Sequence, residues 1–176
     1  ITAQGEISFL APELMANQLP PTAIALTADA QLPLDALTNL YDWNLPEQVR
    51  LGTLIAAVQT SGSLVAPTAT VNWAVQNGTA TGQGVLAYAN NTVTLDNTAL
   101  QISEGTITAT GQANLLSGQL AIAAQADLPL NQLATDFAVA VPAGLTLGQM
   151  QADVGLTGFI QNPILDAIWD VSGGSL

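Results

Sequence analysis

Apolar and polar residues alternate with period two through most of the chain, the signature of half-buried β-strands. Ile7, Phe9 and Ala11 alternate near the start, and Pro12, Leu14 and Ala16 follow. Ile24, Leu26, Ala28, Ala30 and Leu32 share one face, with Thr27, Asp29 and Gln31 on the other. Leu54, Ala56 and Val58 alternate with Ile55, Ala57 and Gln59, and by itself either set suits burial. Ala69, Val71, Trp73 and Val75 oppose Thr70, Asn72 and Gln76. Later in the chain, Leu120, Ile122, Ala124, Ala126 and Leu128 oppose Gln119, Gln125 and Asp127. Met150, Ala152, Val154 and Leu156 oppose Gln149, Gln151, Asp153 and Gly155, and Leu165, Ala167, Trp169 and Val171 oppose Asp166 and Asp170. Between these blocks Asn77-Gly78, Asn90-Asn91, Glu104-Gly105 and Ser117-Gly118 are turn dipeptides at the spacing of a β-meander. The pattern predicts roughly ten strands, about two of them longer than the usual ~5–6 residues.

Two segments depart from period two. Pro33 to Leu40 spaces Leu34, Leu37 and Leu40 by three, and Pro129 to Phe137 carries Leu130, Leu133 and Phe137. Each predicts a short helical turn with Pro near its first position, where a missing N–H costs nothing. Each runs into a Pro-containing loop, at Pro46 and at Pro142.

The blocks are copies of one another. At an offset of 96 residues, seventeen of the fifty-seven positions from Thr22 to Gly78 recur without a gap. Leu51-Gly52 returns as Leu147-Gly148, Gly62 as Gly158, Pro67 as Pro163 and Trp73 as Trp169. Solenoid units are about 20–50 residues long, so a period of this length holds several elements. The expected organisation is one continuous β-repeat domain over 1–176, with copies 22–117 and 118–176, the second incomplete, read as a piece of something larger. The second copy also resolves the ambiguous block: Met150, Ala152 and Val154 place Leu54, Ala56 and Val58 on the apolar side.

Charge narrows the function classes. Thirteen acidic residues stand against one basic residue, Arg50, with no Lys and no His. A surface without cations does not bind nucleic acid or steer toward anionic membranes. With no Cys either, the common acid–base and nucleophilic groups are absent, and no motif surrounds a Ser or Asp, so the chain reads as a non-enzyme without cofactor. Asp153, Asp166 and Asp170 offer oxygen ligands for calcium but lack a calcium-loop spacing, and a solvated face is the preferred reading. No apolar run reaches the ~18 residues of a spanning helix.

An amphipathic sheet of this extent needs a cover for its dry side, from a second sheet, from closure on itself, or from lipid. The apolar residues are mostly small, and many are Ala, which favours a curved sheet or a roomy groove over a tightly filled core. The residues Leu128-Pro129-Leu130, Leu145, Leu147, Gly148, Gly158, Pro163, Ala167 and Trp169 form a cassette that resembles the TamB family, AsmA-like proteins of two-membrane envelopes with chloroplast-envelope relatives. Val93 to Ala113, and Pro12-Glu13-Leu14-Met15-Ala16 in a degraded earlier copy, look like the same family.

The resemblance implies an all-β fold: a long antiparallel amphipathic sheet curled into an open U-shaped trough with an apolar interior, here with two short helical turns added. It implies a place in the periplasm or intermembrane space, with a membrane anchor outside this segment. The implied partners are phospholipid acyl chains, together with outer-membrane assembly proteins or nascent β-barrel strands. The trough lining would be Ile24, Leu26, Ala28, Ala30, Leu54, Ala56, Val58, Ala69, Val71, Trp73, Val75, Leu120, Ile122, Ala124, Ala126, Met150, Ala152, Val154, Leu165, Ala167 and Trp169. Trp73 and Trp169 suit either acyl contact or packing at a bend, and Arg50 either a phosphate headgroup or a surface ion pair. Two alternatives stay open: a structural or adhesive module with a closed sandwich core, and, ranked last for want of aromatic girdles, an outer-membrane barrel.

Overall fold

The computed structural model describes residues 2–8, 23–36, 49–63 and 65–175. The fold is all-β. Among the described residues ten strands form one antiparallel sheet in strictly sequential order, and the sheet is not closed. They are β1 (Thr2–Ser8), β2 (Ala23–Pro33), β3 (Thr53–Ser63), β4 (Pro67–Gln76), β5 (Ala80–Ala89), β6 (Thr92–Ile102), β7 (Gly105–Asn114), β8 (Gln119–Pro129), β9 (Gln149–Phe159) and β10 (Asn162–Ser172). From β2 onward every strand has 10 or 11 residues, where period-two reading expected about two of that length.

A helix, α1 (Leu130–Asp136), links β8 to the loop before β9 and packs on both strands. It sits where the second three-spaced segment was expected, entered through Pro129. Gln132 Nε2 donates to Asp136 Oδ1 at 2.8 Å one turn on. In the first copy Asp35 and Ala36 take helical conformation, and Leu37 and Leu40 lie outside the described residues. So do Phe9, Ala11, the Pro12 to Ala16 stretch and Pro46.

Turn chemistry sets the meander. Asn90 and Asn91, both in the left-handed region (φ 50° and 59°), join β5 to β6. Asparagine reaches that region more readily than most residues and makes the two-residue hairpin. The next turn is Ser103-Glu104, with Ser103 at φ 56°. The expected Glu104-Gly105 pair is therefore displaced by one residue, and Gly105 opens β7. Gln83/Val85 and Leu95/Thr98 bracket register shifts on either side of β6, which carries one extra residue relative to both neighbours.

The two copies have the same local construction. β2 and β8 begin and end 96 residues apart, and so do β3 and β9. Leu34 N–H donates to Gly52 O at 2.8 Å, as Leu130 N–H does to Gly148 O at 3.0 Å. Thr79 N–H donates to Arg50 O at 2.8 Å, as Ser175 N–H does to Thr146 O at 3.1 Å. The recurrent glycines belong to this crossing. A Cβ on Gly52 would run into Gln76 O, and one on Gly148 into Ser172 O, the equivalent carbonyl. Gly62 and Gly158 take φ 105° and 101°, opposite Pro67 and Pro163.

The sheet is a single layer. Among the described residues the buried hydrophobic core is Ala134 alone, 6% exposed, in α1. A compact monomer of 18.0 kDa exposes about 8,000 Å². This chain exposes 12348 Å².

Candidate functional site

Register decides what each face presents, because directly paired residues lie on the same side of a sheet. From β2 to β10, Ala28, Val58, Val71, Leu86, Leu95, Gly111, Ile122, Leu156 and Leu165 are successive partners. Every residue of that row is aliphatic or glycine, and it crosses nine strands without a polar interruption. Gly5 of β1 stands at its head, paired with Ala28.

Parallel rows flank it. Leu32, Leu54, Val75, Gly82, Leu100, Ile107, Ala126, Ala152 and Trp169 form one. Ala30, Ala56, Trp73 and Gly84 lie between them, and the same line continues beyond β6 as Ala109, Ala124, Val154 and Ala167. On the other side Leu26, Thr60, Ala69, Tyr88, Val93, Ala113, Leu120 and Gly158 pair in turn. Met150 joins through Leu128 and Val171, and Ile24 pairs with Gly62. The residues named from the sequence from Leu26 to Trp169 thus fall on one face, and Ile24 has the backbone register of the same face. Most are half-buried by their lateral neighbours, while Leu165, Ala167 and Trp169 on the edge strand are exposed.

The period-two reading missed the middle of this face. Leu86, Tyr88, Val93, Leu95, Leu100, Ile102, Ile107, Ala109, Gly111 and Ala113 belong to β5–β7, which lie outside the matched stretch from Thr22 to Gly78 and so had no second copy to compare with. A signal was present: Val93 and Leu95 are odd-numbered, Leu100 and Ile102 even, and such a parity change within one strand is what a bulge produces. The bulge puts Thr98 on the apolar face, opposite Ala109, where its Oγ1 is buried without a hydrogen-bond partner.

Trp73 has a specific seat. Its Cε2 and Cζ2 stand 2.8 Å from where a Cβ on Gly84 would be. The absent side chain on β5 is what lets the indole lie across the neighbouring strand. Trp169 holds the same place in the second copy but sits on the edge, 68% exposed.

The opposite face is mixed: it carries the strand acids with Thr, Asn and Gln, and also Ile55, Val85, Ile164, Ile168 and several alanines. Asp29, Asp127, Asp153, Asp166 and Asp170 are all exposed there. Gln125 Nε2 donates to Asp153 Oδ1 at 2.9 Å, and Gln149 Nε2 donates to Asp127 Oδ1. Among the described residues no three acidic, His or Cys side chains gather to hold a metal ion. Arg50 is exposed, and its backbone N–H donates to Thr79 Oγ1 at 2.8 Å. No helix among the described residues is long and apolar enough to cross a membrane.

Comparison with models of protein families, with curated proteins and with solved structures finds no match to this chain.

Proposed function

We propose that the apolar face lines a U-shaped trough for lipid acyl chains, and that the chain is a segment of a TamB-type envelope protein carrying phospholipid between two membranes. The observation that carries this reading is the unbroken row from Ala28 to Leu165, with no second sheet over it among the described residues. A sandwich core needs such a sheet, so the single-layer topology supports the open trough over the structural-module reading.

The row runs across the strands, along the long axis of the sheet. Nine strands spaced ~4.8 Å apart give it a length of about 38 Å, more than the ~30 Å hydrocarbon depth of a bilayer. Ala28, Ala56, Ala109, Ala124, Gly82 and Gly111 keep its floor shallow, which leaves room for a chain to lie along it. Each methylene that leaves water for such a surface contributes about 0.8 kcal/mol. Because the contacts are alike from strand to strand, a bound chain moves along them without a large barrier at any one step, while its headgroup stays in water at the open mouth. Assistance to outer-membrane protein assembly is the second activity the family resemblance suggests.

The test is a photo-crosslinking residue placed at Val71 or at Asn72, with phosphatidylcholine vesicles as the lipid source and mass spectrometry as the readout. Val71 belongs to the apolar row, and its neighbour Asn72 is exposed on the mixed face. Lipid adducts at Val71 and not at Asn72 are expected. Equal labelling at both, or none at Val71, overturns the trough.

A further inference from the structure

The two margins where the strands turn are unlike. The β3–β4, β5–β6, β7–β8 and β9–β10 hairpins turn at one of them, while α1 and the β4–β5 and β6–β7 turns lie at the other. Asp35, Arg50, Glu104 and Asp136 belong to the second margin. Among the described residues the first margin carries no Asp, Glu or Arg, either in its hairpin turns or in the four strand residues next to each. The nearest acids are Asp96 and Asp166, each the fifth residue of its strand. At ~3.4 Å per residue the uncharged band is about 14 Å deep. In a chain of net charge −12, such a margin is the exception.

The β7–β8 tip of this margin presents two leucines. Leu115 and Leu116 are 56% and 83% exposed, and the β5–β6 and β9–β10 hairpins flank them on both sides. The backbone of the same tip asks nothing of water. Leu115 N–H donates to Asn91 O at 2.7 Å, and Gly118 N–H to Asn114 O at 2.8 Å. Leu116 and Ser117 N–H both donate to Asn114 Oδ1, at 3.0 and 2.8 Å, and Gln119 N–H donates to Ser117 Oγ at 3.3 Å. Five consecutive amides of an exposed loop are thus satisfied within the protein. Ile160 N–H donates to Gly118 O at 2.8 Å, which ties the tip to the next hairpin as Asn91 ties it to the one before. We propose that this tip docks on a lipid bilayer, with Leu115 and Leu116 seated at the boundary between headgroups and acyl chains.

A bilayer suits this surface for three reasons. An unpaired amide is costly in a layer poor in water, and at this tip the donors arrive already paired. Interfacial segments sink ~5–10 Å into the headgroup boundary. The uncharged band is deeper than that, so no carboxylate follows the leucines in. The tip also stands on a sheet one layer thick. That offers little of the roughly 800 Å² per partner that a stable protein interface buries, whereas lipid chains close around a protrusion of any shape. With thirteen acids and Arg50 in the chain, the matching surface is zwitterionic rather than anionic. The contact goes beyond the acyl-chain reading and does not rest on it.

The chain has no cysteine, so one introduced thiol carries a dye to a chosen place. An environment-sensitive fluorophore is attached to the Gln119→Cys chain, beside the tip, or to the Glu104→Cys chain, at the other margin; both positions are exposed. The probe is phosphatidylcholine vesicles that carry a nitroxide near the headgroup. The dye on Gln119→Cys should shift to the blue and be quenched, and the dye on Glu104→Cys should do neither. Adding Leu115→Ser and Leu116→Ser, with folding checked by circular dichroism, should raise the lipid needed for half the signal about tenfold or more. Adding Val71→Asp instead should leave docking unchanged, which separates a failed tip from a failed trough. Equal signals at the two margins, or a serine variant that docks like its parent, overturn the proposal. So does a blue shift on Gln119→Cys without vesicles, which would assign the tip to a second copy of the chain. Loss of docking with Val71→Asp also overturns it, because the contact would then belong to the apolar face.

Discussion

Asp35 Oδ1 accepts the amide N–H of Leu51 at 2.7 Å. Ninety-six residues on, Asn131 Oδ1 accepts the amide of Leu147 at 2.9 Å. The bond ties the segment that leaves one strand to the segment that enters the next, and this explains why an oxygen-bearing side chain recurs here while its charge does not. Asn131→Ala should destabilise the fold by about 1 kcal/mol, the usual net worth of a neutral hydrogen bond. Asn131→Asp, which restores the residue of the first copy, should be nearly neutral. Urea unfolding of the two variants checks both, and equal losses would mean that Oδ1 is not the group that matters.

The crossing beside that bond makes a sharper prediction. Gly52 and Gly148 both lack room for a Cβ because a backbone carbonyl occupies the place, and backbone atoms cannot rotate aside. Gly52→Ala and Gly148→Ala should each cost about 2 kcal/mol or more. Gly155 is a fair control: it lies within β9 on the mixed face, and a Cβ there meets nothing closer than Asp166 O at 4.0 Å. Gly155→Ala should stabilise by about 0.5 kcal/mol, because glycine within a strand loses more conformational freedom on folding. Chemical denaturation of the three variants orders them.

Among the described residues Thr98 is the polar interruption of the apolar face that is buried, and its Oγ1 has no partner. Thr98→Val keeps the shape and removes an unsatisfied group. It should raise stability by about 1 kcal/mol. If the same change lowers stability, the hydroxyl has a partner in solution, and structured water at the β6 bulge becomes the explanation.

How much of this was readable beforehand depends on what the physics requires of the sequence. Period two and the recurrence of Trp73 at Trp169 were enough for an all-β meander and for assigning Ile24 through Trp169 to one face, because strand side chains alternate and a copy resolves parity. Val71 and Ala124 needed nothing more. The β6 bulge was harder. Its cause is one extra residue around Asn97, and that residue shifts the register without leaving a turn dipeptide. The role of Gly84 was not readable at all, since only the pairing of β4 with β5 brings it under Trp73. The Ser103-Glu104 turn was misplaced by one residue because Gly105 looks like a turn glycine. It is instead a strand residue, crowded by Leu128 and Pro129.

Electrostatics and the apolar face make separable demands on lipid capture, and a pair of variants exploits that. Val71→Asp and Asn72→Asp change the net charge equally, so any difference between them comes from the face each occupies. Val71→Asp should weaken transfer of phosphatidylcholine from vesicles about tenfold or more, because it puts a carboxylate in the middle of the acyl path. Asn72→Asp should leave transfer unchanged. The whole chain, with thirteen acids against Arg50, should also take lipid less well from anionic than from zwitterionic vesicles at low salt. That gap should close by about 1 M salt, where the screening length falls to ~3 Å. Faster transfer from anionic vesicles at low salt would place the point of entry at Arg50 rather than at the apolar row, and a Val71→Asp chain that still transfers lipid would locate the acyl path off this face altogether.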